Sequence, residues 1–61
     1  MPYVNVKLAG AISEVQRREI AKEIAILLER VAGKPRDHTY VVVDEIPRDH
    51  WGVGEKLLSD G

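Results

Sequence analysis

Apolar and polar positions alternate from Tyr3 to Leu8, with Val4, Val6 and Leu8 on one face and Tyr3, Asn5 and Lys7 on the other. That is the period of a half-buried β-strand. Ala9-Gly10-Ala11-Ile12 interrupts it as a short connector. Ser13 followed by Gln16 has the spacing of a capping box, in which the hydroxyl accepts an amide proton three residues on, so a helix is predicted from about Glu14. Ile20, Ala21, Ile24, Ala25, Leu27, Leu28 and Val31 then fall in one arc, while Arg18, Glu19, Lys22, Glu23, Glu29 and Arg30 fall in the other. Such an amphipathic helix buries one face. Ile26 stands alone on the polar arc. Gly33 can take the left-handed conformation that ends helices and Pro35 blocks resumption, which places the stop near Ala32.

Thr39-Tyr40-Val41-Val42-Val43 is β-branched or aromatic throughout and apolar on both faces, the signature of a strand covered on both sides. Asp44-Glu45-Ile46-Pro47-Arg48-Asp49 is expected to turn away from the sheet, since Pro47 cannot donate a ladder bond and the acidic pair prefers solvent. In His50-Trp51-Gly52-Val53-Gly54 two glycines around a valine predict a tight turn or short hairpin presenting Trp51. Glu55 to Gly61 reads as a loose tail. Strand, helix, strand within one short chain is an α/β architecture, a single βαβ unit with a right-handed crossover and a short C-terminal hairpin. Two parallel strands do not stand alone: one face takes the helix, and the other is expected to meet a second copy of the chain.

Length sharpens that expectation. Sixty-one residues form a single domain, 1–61, and a chain of this size hides only about 60% of its unfolded surface. Without cysteine, disulfides cannot supplement the core. Nor does the sequence suggest a metal, because His38 and His50 lie in different elements. Nine basic against ten acidic side chains leave a net charge of -1, which lacks the positive field of a nucleic-acid binder. The longest apolar run, Ile24 to Leu28, falls far short of the about 20 residues that span a bilayer. Tyr3 enters strand sequence without a signal-peptide pattern, so the expected location is cytoplasmic.

Ordinary catalytic constellations are thin. Ser13 reads first as a helix cap, Asp44, Glu45 and Asp49 as a solvated turn, and His38 and His50 as surface residues. Gly52-Val53-Gly54 lacks the remainder of a phosphate loop. Pro2 differs in kind. Methionine is normally trimmed before a small residue, and its loss would leave a prolyl secondary amine, which is a base. An α-amino group titrates at about 7.7 to 8.0, and apolar burial with nearby cations moves it toward neutrality, where a general base works best.

Met1-Pro2-Tyr3-Val4-Asn5-Val6, the helix opened by Ser13, Gly33-Lys34-Pro35, Val41-Val42-Val43-Asp44-Glu45 and His50-Trp51-Gly52-Val53-Gly54 occur in an order and spacing that resembles the 4-oxalocrotonate tautomerase family over almost the whole chain. The resemblance implies a βαβ subunit assembled as a hexamer, a trimer of dimers. It also implies an N-terminal proline acting as general base without cofactor or metal on small enols or unsaturated acids. Pro2 then matches the catalytic proline, and Trp51 falls where the family carries an aromatic pocket wall. Ile12 and Tyr40 occupy the positions of the family's two substrate-binding arginines. The phenol of Tyr40 is a donor for a developing oxyanion, and Arg36, Arg48, Lys7 and Arg17 are candidate replacements for the clamps.

The leading reading is therefore a proline-based tautomerase of small enol or unsaturated keto acids. Its alternatives are a non-catalytic partner subunit of a heteromeric assembly, a hydratase or dehalogenase of small unsaturated acids, and a small binding module that retains Met1.

Overall fold

The computed structural model describes residues 2–61. Met1, whose removal any role for the Pro2 amine requires, lies outside the described residues. Strand β1 spans Tyr3–Ala9, helix α1 Glu14–Ala32 and strand β2 Tyr40–Ile46, with β3 at Gly52–Val53 and β4 at Lys56–Leu57. β1 and β2 pair in parallel, Tyr3 opposite Tyr40 through Ala9 opposite Ile46. This is the βαβ unit expected, with α1 as the crossover.

Local chemistry sets the ends of α1. The Ser13 hydroxyl accepts from Gln16 N at 3.2 Å while the Gln16 side chain accepts from Ser13 N at 2.9 Å, closing a reciprocal capping box. At the other end Gly33 adopts φ 69°, and its N–H reaches Glu29 O at 3.1 Å. Glycine takes this left-handed conformation without a Cβ clash.

β2 is longer than its sequence suggests. Asp44, Glu45 and Ile46 were expected to turn away, yet they continue the ladder opposite Lys7, Leu8 and Ala9. Each acid has a partner that makes a strand position tolerable. Asp44 Oδ2 accepts from Asn5 Nδ2 and Lys7 Nζ, both at 3.0 Å, on the face away from the helix. On the helix face Glu45 accepts from Ile12 N at 2.7 Å and Arg17 Nη1 at 2.7 Å. The turn starts only at Pro47, which heads a short 3-10 segment, Arg48–His50.

The expected loose tail is also structured. β3 and β4 form an antiparallel pair, Gly52 opposite Leu57 and Val53 opposite Lys56. Leu58 N donates to Trp51 O at 3.0 Å, and a final 3-10 turn covers Leu58–Asp60.

No side chain is fully buried among the described residues. Leu27 and Val31 remain 46% and 68% exposed although they lie on the apolar arc of α1, because two strands are too narrow to cover that arc. On the opposite sheet face Tyr3, Tyr40 and Val42 are 65%, 57% and 41% exposed. The radius of gyration is 14.4 Å, against about 10–11 Å for a compact chain of this length. The accessible surface is 4741 Å², where a folded monomer of this mass exposes about 4,000 Å².

Candidate active site

Pro2 immediately precedes β1, and its carbonyl accepts the Tyr40 N–H at 2.9 Å. This bond extends the parallel ladder by one rung and seats Pro2 beside the start of β2. A cleft of about 400 Å³ opens there, lined by Pro2, Lys34, Pro35, Asp37, His38 and Tyr40. That volume suits a small ligand. Pro2 itself is half-buried.

The chain between α1 and β2 forms the cleft's second wall. Lys34 N donates to Leu28 O at 3.3 Å, completing the helix stop. Pro35 then restricts the backbone of Lys34 to extended conformations. Arg36–His38 closes one 3-10 turn, with His38 N on Pro35 O at 3.1 Å and Thr39 Oγ1 on the same carbonyl at 3.1 Å. Among the described residues, the side chains of Lys34, Asp37 and His38 make no hydrogen bond or ion pair.

Of the residues singled out from sequence, Pro2 and Tyr40 share this cleft. Ile12 and Trp51 do not. Ile12 lies beyond the far end of β1, where its amide donates to Glu45, and Trp51 lies beyond the far end of β2, where its indole N–H donates to Ile46 O at 3.2 Å. A seven-residue strand spans about 20 Å, so one copy of the chain does not bring these two side chains to Pro2.

The proposed replacement cations are committed elsewhere. Arg17 binds Glu45 at 2.7 Å and Ile12 O at 3.1 Å, and Lys7 pairs with Asp44 at 3.0 Å. Arg36 pairs with Glu29 at 2.7 Å, and Arg48 donates to Leu58 O at 3.2 Å. These pairings shape the acids. The Ile12 amide, with Arg17 beside it, holds the Glu45 carboxyl below the usual carboxylate range, the Asn5 amide and Lys7 do the same for Asp44, and Arg36 for Glu29.

The cations left at the cleft are Lys34 and, when protonated, His38. In the sequence Lys34 stands only within Gly33-Lys34-Pro35, with no site role of its own, and His38 reads as a surface histidine. The signal lay in topology. In a parallel βαβ unit, residues just before the second strand share an edge with the residue just before the first.

The fold is a small α/β unit built on one βαβ crossover, with Pro2 at the head of a cleft of ligand size. The whole described chain, residues 2–61, matches the family described as "Tautomerase enzyme". A "Probable tautomerase" of Bacillus cereus is 33% identical over 98% of both chains. A "2-hydroxymuconate tautomerase" of Bacillus subtilis is 30% identical over 98% of this chain and 97% of its own. The crystal structure of YwhB, a homologue of 4-oxalocrotonate tautomerase, superposes with a TM-score of 0.89 at 28% identity, covering 98% of each chain. The chain belongs to the tautomerase family, in its 4-oxalocrotonate tautomerase branch.

Proposed function

We propose that this chain is a cofactor-independent tautomerase of small enol or unsaturated keto acids, with the secondary amine of Pro2, freed by removal of Met1, as its general base. The observation that carries this reading is the half-buried Pro2 at the head of β1, on a cleft of ligand size shared with Tyr40. The amine takes the enol hydroxyl proton, the oxygen lone pair collapses to a carbonyl, and the C=C electron pair takes a proton back from the prolinium at carbon. Tyr40 donates its phenolic hydrogen to the oxygen while charge develops there, which stabilises the transition state more than the ground state.

The exposed apolar surface supports assembly, and the placement of Ile12 and Trp51 supports a composite site. Each lies at the opposite end of the strands from Pro2, so a neighbouring copy running the other way would close the cleft with its own far end. A homohexamer satisfies both observations. The indole of a neighbour's Trp51 then forms the apolar wall. A partner-subunit reading draws on the same composite geometry together with the two non-arginine positions, Ile12 and Tyr40, and it predicts an isolated chain that is inactive until mixed with an arginine-bearing relative.

Ketonisation of phenylenolpyruvate, followed by ultraviolet absorbance, tests the leading reading on preparations with and without Met1. Acylation by Met1 turns the proline nitrogen into a non-basic amide, so activity should track the trimmed fraction measured by intact mass. Equal turnover in both preparations contradicts the proposal.

A further inference from the structure

Among the described residues the cleft at Pro2 has no arginine on its rim, yet it carries the cation of Lys34. We infer that Lys34 is the substrate-carboxylate seat of this enzyme, and that the cleft takes small 2-oxo acids or their enols carrying one carboxylate rather than dicarboxylates; this rests on the proline-based reading above.

Lys34 lines the same cleft as Pro2 and Tyr40. Every other basic side chain that sequence offered for this role is held elsewhere: Arg17 by Glu45, Lys7 by Asp44, Arg36 by Glu29 and Arg48 by Leu58 O. Lys34 has no such partner among the described residues, while its backbone is fixed by the Gly33 cap, the bond to Leu28 O and the following proline. A free ammonium on a fixed stem is available to a ligand without first breaking an internal pair.

The charge around it selects the ligand. Asp37 stands on the same cleft, also unpaired among the described residues, so the two fixed charges of the rim cancel. One carboxylate can settle on Lys34, but a second would meet the Asp37 carboxylate on the same rim, and like charges at short range repel. The remaining rim groups, the Tyr40 hydroxyl and the His38 ring N–H, are hydrogen-bond donors suited to a carbonyl or enolate oxygen. An acid bound through Lys34 thus presents its α-oxygen to these donors and its reacting carbon to Pro2. The relative named for 2-hydroxymuconate, which bears two carboxylates, differs from this chain in preference on this account.

The test separates the carboxylate seat from the base. Binding of trans-cinnamate and of its uncharged amide, cinnamamide, to the Met1-free protein is measured by calorimetry at low salt, for wild type, Lys34→Gln, Lys34→Arg and Pro2→Ala. Cinnamate should bind at least tenfold more tightly than cinnamamide. That gap should vanish in Lys34→Gln and persist in Lys34→Arg and Pro2→Ala. In turnover, Lys34→Gln should raise KM for phenylenolpyruvate about 10- to 100-fold with kcat little changed, the loss expected for one charged hydrogen-bonding partner that binds ground and transition states alike. An undiminished cinnamate preference in Lys34→Gln, no preference in wild type, or faster wild-type turnover of 2-hydroxymuconate than of phenylenolpyruvate overturns the inference. A Pro2→Ala protein that keeps its turnover while Lys34 still discriminates acid from amide contradicts the base assignment and supports the seat.

Discussion

Val42→Asp tests whether the sheet face opposite α1 is an interface. Val42 is 41% exposed and lies beside the similarly open Tyr3 and Tyr40. A fully covered tyrosine buries about 150–250 Å², so rings 65% and 57% exposed still offer roughly 90–160 Å² each, or about 2–4 kcal/mol apiece when a partner covers them. Asp at position 42 forfeits about 1 kcal/mol of apolar burial and places an unpaired charge in the covered face near Asp44, which costs several kcal/mol more. A combined loss of about 4 kcal/mol per interface weakens association about a thousandfold. Sedimentation velocity at micromolar concentration should show wild type as a single oligomer and Val42→Asp as a much smaller species. Circular dichroism should show the variant largely unfolded, since a protomer with no fully buried side chain among its described residues has little to hold it together. A Val42→Asp protein that sediments as wild type does, or a wild type that is a stable folded monomer, refutes the reasoning.

Glu45→Gln should lower the denaturant midpoint at neutral pH, because Glu45 joins β2 to both Ile12 and Arg17. Its folded carboxyl titrates below the unfolded value of about 4.3, so its contribution is complete above that value and fades as pH falls through the folded one. The gap between wild type and variant should therefore be constant from pH 7 to 5 and close in stronger acid; a gap independent of pH down to the acid limit contradicts the pairing. Ser13→Ala removes the acceptor of Gln16 N and should cost about 1 kcal/mol per subunit in chemical unfolding, whereas Glu19→Gln, at an exposed position of α1 with no ion pair among the described residues, should be nearly silent.

The βαβ unit was legible because each element announced itself through a different physical signal: alternation in Tyr3 to Leu8, a reciprocal cap at Ser13 and Gln16, a left-handed glycine at 33 and a two-sided apolar run from Thr39 to Val43. Asp44 and Glu45 were misjudged because local reading weighs an acidic pair against water, while their partners Asn5, Lys7, Ile12 and Arg17 arrive from 28 to 39 residues away. The short C-terminal hairpin was legible in the glycines around Val53, but its reach into the expected loose tail was not, since the two residues of β4 carry no readable period and are ordered by Gly52 and Val53 across the pair. Of the residues lining the cleft, the sequence and the resemblance single out Pro2 and Tyr40. Neither the Gly33-Lys34-Pro35 segment nor His38 carries a site role in the sequence, and both enter only when parallel pairing brings the α1–β2 connection to the head of β1. Ile12 and Trp51 show the converse, residues joined to the site by resemblance that a single copy holds at the other end of its strands.

The most direct test of the central claim is kcat/KM for phenylenolpyruvate ketonisation in wild type and Pro2→Ala, with intact mass confirming Met1 loss in both. A positioned general base contributes about 100- to 10,000-fold. The variant should lose turnover on that scale while keeping the oligomeric state and cinnamate affinity of wild type. Turnover retained within a few-fold would show that the proline amine is not the base.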